Sequence, residues 1–174
     1  VLKEKMVDGV IYMSSSLEEE TLNIINELDL KTVLVETKDN EGKLPSVYID
    51  NIEATYEATK HLLDKGIKNI AFIGVDKSSA NAWGDRYIGY KKALNEAGIT
   101  IDEDLVYFEG LKVKSGYRAS EKFLSSGKNF DGIICASDEI AMGAINGLRE
   151  KGVNTPEDVS VIGFNDNAVA SYFY

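Results

Sequence analysis

Short apolar runs recur along the chain without alternating polar positions. They are Val10-Ile11-Tyr12-Met13, Val33-Leu34-Val35, Ile70-Ala71-Phe72-Ile73, Leu105-Val106-Tyr107-Phe108, Ile133-Ile134-Cys135-Ala136 and the stretch from Val159 to Phe164. A strand that is apolar throughout needs cover on both faces, which is the pattern of a parallel sheet flanked by helices. Between the runs the spacing becomes helical. Leu22, Ile25 and Leu28 share one face, and Ala54, Ala58 and Leu62 another. Ile140, Ala144 and Leu148 form a third, which Ala141 and Ile145 widen. Strands and helices alternating in this way predict right-handed crossovers and a doubly wound α/β fold.

The punctuation agrees. Ser16-Leu17-Glu18-Glu19 fits a capping box, in which Ser16 and Glu19 would satisfy each other's backbone donors. Gly66, Gly98, Gly127 and Gly152 each follow a helical run and precede a strand, where a left-handed residue closes the helix. One segment departs from the pattern. Residues Glu36 to Ser46 are polar, contain Gly42 and Pro45, and show no helical spacing before a further short strand, Val47-Tyr48-Ile49. Two strands without a helix between them predict an edge pair, or a strand crossing between lobes. A lobe boundary is placed near Asp50. The first lobe then holds too little structure to bury a core alone, and residues before Val1 or after Tyr174 are expected to complete it.

Six stretches together carry a resemblance. They are "VDGVIY", "SVYIDNIEATYEATKHLLDKGIKNIAFIG", "DRYIGYKKALNEAGI", "SGYRASEKFL", "CASDEIAMGAINGLREKG" and "PEDVSVIGFND". In this order and spacing they resemble the effector-binding domains of LacI/GalR-family transcription regulators, from about Val7 to Asp166. The resemblance implies a two-lobed, periplasmic-binding-protein-like type I fold with doubly wound parallel sheets, its first lobe incomplete here. Residues 1–49 would be a partial N-terminal lobe, 50–166 the C-terminal lobe, and 167–174 the start of a crossover back. It further implies a small-molecule effector, a sugar or sugar derivative, bound in a cleft between the lobes. Operator DNA would be held by a helix-turn-helix headpiece outside this chain, and the regulator would be a homodimer.

Composition narrows the alternatives. The 174 residues are 44% apolar and 28% charged, ordinary for a globular protein. A net charge of -10 opposes a phosphate backbone, so these residues are not expected to form a nucleic-acid groove. Lys112, Lys114 and Arg118 are scattered and read as a solvated helix entry. The single cysteine, Cys135, offers no internal disulfide and no metal-ligand spacing, and it reads as an inert core thiol. No apolar run approaches the roughly 20 residues of a membrane span. The N-terminus shows no signal-peptide pattern and no initiator Met, so a trimmed or processed chain in a reducing cytoplasm is expected. An exported sugar receptor of a transporter is the alternative. It would need an upstream signal or lipid-attachment cysteine. An enzyme would need a phosphate loop or a nucleophile–base pair, and neither is visible. His61, Met142 and Gly143 read as structural. No catalytic residue, cofactor or metal is assigned.

Ligands of open α/β sheets bind outside the carboxyl ends of the strands. The groups that follow the apolar runs are Glu36, the loop from Val75 to Asp85 leading to Arg86, Ser137-Asp138, and Asn165-Asp166. One forked cationic donor with carboxylates, an amide and a hydroxyl suits a polyol, whose hydroxyls both donate and accept. Arg86, in Arg86-Tyr87-Ile88-Gly89, matches the family arginine that reaches the effector. Its other reading is a surface arginine in the first helical turn, paired with Asp85 or Asp138. Catabolite control proteins of this family lack that arginine and answer to a phosphorylated carrier protein, so its presence points to a small-molecule effector.

Asn165 matches a family position, often Asp, that binds sugar hydroxyls. Asp166 is a further candidate, or shapes the turn. Asp138 is expected as the helix cap and Ser137 as the cleft residue. Glu36 stands where relatives present Asp, or is a solvated loop carboxylate. Relatives often place a stacking aromatic after "EG", whereas Glu109-Gly110 is followed here by Leu111-Lys112, in a loop one residue short. Trp83 is the candidate aromatic face in its place.

Overall fold

The computed structural model of the chain describes residues 7–39, 41–77 and 81–172. They fall into two compact units that part between Asp50 and Asn51, with residues 81–82 grouped with the first. The first unit contains β1 (Val10–Met13), α1 (Glu19–Glu27), β2 (Thr32–Val35) and β3 (Ser46–Val47). Its strands form one parallel sheet in the order β1-β2-β3. The register sets Ile11 beside Val33 and Val35 beside Val47, so these side chains share a face. On the other face Leu34 is fully buried.

Two local expectations are corrected in this unit. The capping box does not form. Helix α1 starts at Glu19 with Glu18 as its extended N-cap and no side-chain cap bond. Ser16 Oγ donates to Glu18 Oε1 at 3.0 Å instead. Glu19 and Glu20 in the first turn face the positive helix end, which supplies electrostatic stabilisation in place of the box. The strand expected at Val47-Tyr48-Ile49 is Ser46–Val47, and Tyr48 and Ile49 are exposed. The segment from β2 to β3 manages without a helix because Asp39 organises it. Its carboxylate accepts the N–H groups of Glu41 at 2.9 Å and Lys43 at 2.8 Å. Those N–H donors hold the Asp39 carboxyl below its ordinary pKa.

The second unit contains α2 (Asn51–Asp64), β4 (Ile70–Gly74), α3 (Ala82–Glu96), β5 (Val106–Phe108), α4 (Val113–Ser125), β6 (Gly132–Cys135), α5 (Asp138–Glu150) and β7 (Ser160–Ile162). All four strands are parallel, in the order β5-β4-β6-β7. Every residue of the central strands β4 and β6 is buried, as continuous apolar runs require. Phe72 of β4 anchors an aromatic cluster, with ring centroids 5.1 Å from Tyr87, 5.1 Å from Tyr90 and 5.9 Å from Phe108. Tyr90 reaches through the core to donate its hydroxyl to the Ile70 carbonyl at 2.7 Å.

Helix pairs meet at glycines. A Cβ on Gly116 would strike the Ile140 carbonyl, and one on Gly143 the Val113 carbonyl, so α4 and α5 approach backbone to backbone. Gly89 does the same for α3 against α2. Gly66, Gly98, Gly127 and Gly152 have φ of 86°, 69°, 70° and 77°, the left-handed helix ends that the sequence predicts. The chain leaves β4 towards β5 on one side and returns to β6 on the other. The carboxyl ends of β4 and β6 therefore flank a topological switch point, where such sheets open a crevice.

Candidate functional site

The side chains at this switch point converge on Arg86. Helix α3 begins at Ala82, so Arg86 lies in its second turn, and the expected helix-start position is corrected accordingly. It is not a surface arginine. Only 3% of it is exposed. Its Nε donates to Asn51 Oδ1 at 2.9 Å, and its Nη1 donates to the Ala136 carbonyl just beyond β6. A longer contact of 3.4 Å runs from Nη1 to Asn165 Oδ1. The guanidinium centre lies 3.7 Å from the Phe164 ring centroid and 4.7 Å from that of Trp83. A buried cation needs both fixed acceptors and polarisable surroundings, and this arrangement supplies each.

Asn165 and Asp166 follow β7 and are both exposed. Both lie in left-handed backbone, with φ of 100° and 53°. Consecutive non-glycine residues of this kind cost about 1–3 kcal/mol each and persist only where the surroundings enforce them. The Asn165 amide therefore stands beside Arg86 with its carbonyl oxygen towards the guanidinium. Trp83 is half-buried, one turn before Arg86 on α3. Arg86, Asn165 and Trp83 are thus brought together, with Asp166 adjoining.

The cap role expected of Asp138 belongs to Ser137. Ser137 is the N-cap of α5. It has extended backbone, its Oγ accepts the Ile140 N–H at 3.3 Å, and it is 1% exposed. Asp138 is the first residue of α5 and is directed at the β7 turn instead, where Oδ2 accepts the Asn167 N–H at 2.6 Å. The reason is the bend itself. Only the residue before the helix has the extended backbone from which a hydroxyl reaches N–H groups of the first turn. Glu36 lies in the first unit, exposed, with φ of 69° and its N–H bonded to the Val47 carbonyl at 3.0 Å. Residues 78–80 of the loop before Arg86 lie outside the described residues. Leu111 is 43% exposed at the position where a stacking aromatic is absent.

Three site residues escape a reading of sequence alone. Asn51 opens α2 and holds the arginine, but an Asn at a helix start reads as a local cap. Phe164 reads as the last residue of an apolar strand. Asp138 reads as a cap. Buried Cys135, behind this region, has its thiol pKa pushed up by desolvation and the nearby Asp138 charge. Among the described residues no group of three His, Cys, Asp or Glu side chains is placed to hold a metal, and no helix is long and apolar enough to cross a membrane.

Comparison with known proteins agrees with this architecture. The family of periplasmic binding proteins and sugar-binding domains of the LacI family matches residues 1–173. The HTH-type transcriptional regulator RegA of Clostridium saccharobutylicum is 65% identical over 174 residues, covering 100% of this chain and 52% of that protein. The HTH-type transcriptional repressor PurR of Glaesserella parasuis is 35% identical over 176 residues, covering 100% of this chain and 51% of that protein. A solved complex of the transcriptional regulator CelR with cellobiose superposes with a TM-score of 0.85 at 30% identity, covering 99% of this chain and 53% of that one. The chain spans about half the length of the curated relatives it matches. It belongs to the family of periplasmic binding proteins and sugar-binding domains of LacI-type regulators, as an effector-binding domain.

Proposed function

We infer that this domain senses a polyhydroxylated small molecule, a sugar or sugar derivative, and that occupancy modulates operator binding by the whole regulator. The observation that carries the reading is the convergence of Arg86, Asn165, Phe164 and Trp83 at the carboxyl ends of β6 and β7. A preorganised guanidinium, an exposed amide and an indole face are the groups that recognise a ring bearing hydroxyls. Asp166 extends the same rim, and Glu36, at a strand end of the first unit, is a further proposed contact. Ser137 serves the site through its cap. The role is non-catalytic and cytoplasmic, with DNA held by a helix-turn-helix headpiece and the regulator acting as a homodimer. An effector shifts operator affinity only by its differential affinity for the two states of the regulator.

The test is calorimetric titration of the whole regulator with cellobiose, D-glucose, D-ribose and glucose 6-phosphate, followed by the variant Asn165→Ala. Asn165 is exposed, so truncation leaves the core intact. At least one sugar is expected to bind, and the variant is expected to lose about 1–3 kcal/mol, or roughly 5- to 150-fold in affinity. Equal binding by variant and parent would remove Asn165 from the site. Replacing Arg86 by Ala should weaken binding by at least as much. It also strands the Asn51 and Ala136 acceptors, so its thermal unfolding must be measured beside it.

A further inference from the structure

The turn that carries Asn165 poses a physical question. What holds two successive side-chain-bearing residues in left-handed backbone? Asn165 and Asp166 have φ of 100° and 53°, and both are exposed, so core packing does not enforce the shape. The contacts at either end of the segment lead to one residue. The Asp138 N–H donates to the Phe164 carbonyl at 3.1 Å, before the two strained residues. The Asp138 carboxylate accepts the Asn167 N–H at 2.6 Å, after them. The same carboxylate lies against Gly163, where a Cβ would collide with Oδ1. The neighbouring Glu139 accepts from Asn167 Nδ2 at 3.1 Å.

Asp138 is only 6% exposed, yet a hydroxyl already caps this helix at Ser137. Its carboxylate is therefore available for the turn. It also lies in the first turn of α5, where the helix end favours a negative charge. A charged acceptor on a backbone N–H is among the stronger hydrogen bonds, and here it closes a ring around the strained pair.

We propose that Asp138 is the positioning residue of the ligand site. It pins both ends of the Phe164–Asn165–Asp166 segment and so holds the Asn165 amide beside Arg86. The functional consequence rests on the reading of Asn165 as a ligand contact, while the positioning itself does not.

The experiment is NMR on the isotopically labelled chain and its variants. It reads the Cα shifts of Asn165 and Asp166, which report left-handed backbone, and the exchange protection of the Asn167 amide. Asp138→Ala is expected to move both shifts out of the left-handed range and to lower protection by about tenfold or more. Asp138→Asn keeps an acceptor oxygen and should retain most of both signals. Asn167→Ala, which removes only the bond to Glu139, should leave the Asn165 and Asp166 shifts in place. Native shifts in Asp138→Ala, even with a lowered melting temperature, would overturn the proposal and leave Asp138 a stabilising residue only.

If Asp138→Ala does not fold, Gly163→Ala replaces it, because the added methyl displaces the carboxylate from the opposite side. The same shift changes are expected, and native shifts there would equally overturn the idea. Calorimetry on Asn165→Ala with the sugar panel separates the two readings. Unchanged sugar binding in that variant removes the ligand role of Asn165, whereas unchanged shifts in Asp138→Ala remove the positioning.

Discussion

The two sheets are written in the same apolar language and buried very differently. In the second unit every residue of β4 and β6 is buried, and Ala71, Phe72, Ile73 and Ile133 are fully so. In the first unit β1 alternates between half-buried and exposed positions. Ile11, Met13 and Val47 are 74%, 70% and 66% exposed along one face. Both sets of strands are parallel, and parallel pairing alone does not dictate burial. What differs is the cover. Two helix pairs, each drawn together through glycine contacts, cover the second sheet, whereas the described residues leave one face of the first sheet open. An apolar strand records the environment that it tolerates, and only its neighbours determine how much of that environment it obtains.

The contrast is tested most severely at Phe72. It is fully buried and touches three other aromatic rings. Phe72→Ala removes that transfer energy, opens a cavity and breaks the aromatic contacts, for an expected loss of about 3–5 kcal/mol. Urea unfolding followed by Trp83 fluorescence reads the second unit directly, because Trp83 is the chain's single tryptophan. A loss below about 1 kcal/mol would mean that the second core is not close-packed, and the comparison would collapse.

Much of this arrangement was legible beforehand. The continuous apolar runs and the helix-closing glycines give the alternation, the parallel sheets and the strand-end location of Asn165. What was not legible depends on geometry with no local signature. Ser16 and Glu19 have the right spacing for a capping box, yet the helix starts where Glu18 can be the cap, and a shift of two residues removes the reciprocal bond. Ser137 and Asp138 are both good caps by type. Which one caps depends on where the extended backbone ends, and the other is then free for the β7 turn. Asn51 contacts Arg86 across a separation of 35 residues, which no spacing rule encodes.

A smaller effect with the opposite sign sharpens the picture of the second unit. Thr55 of α2 is 1% exposed, and among the described residues its hydroxyl has no hydrogen-bond partner. A buried hydroxyl without a partner costs about 1–3 kcal/mol relative to a satisfied one. Valine has nearly the same shape and no group to desolvate. Thr55→Val is expected to stabilise by about 1 kcal/mol and to raise the melting temperature by a few degrees. A destabilised variant would show that the hydroxyl is satisfied by water in solution, and that the α2 face of this unit is wetter than its packing implies.

The smallest effect is expected at Ile11, and it isolates the open face. Ile11 is 74% exposed in the middle of β1 and sits beside Val33, which is 38% exposed. Threonine keeps the β-branch and the strand preference while replacing one apolar arm with a hydroxyl. At so exposed a site little transfer energy is at stake, so Ile11→Thr should change stability of this chain by less than about 0.5 kcal/mol. The same denaturant measurement, read by far-UV circular dichroism to include the first unit, checks it. A loss of several kcal/mol would mean that this face is covered in solution, by a second copy or by another part of the same chain. Repeating the measurement across a range of concentrations distinguishes the two, since only association makes the loss depend on protein concentration. Either result bears on the difference between the sheets, because it changes one face of one sheet and leaves the Arg86 site untouched.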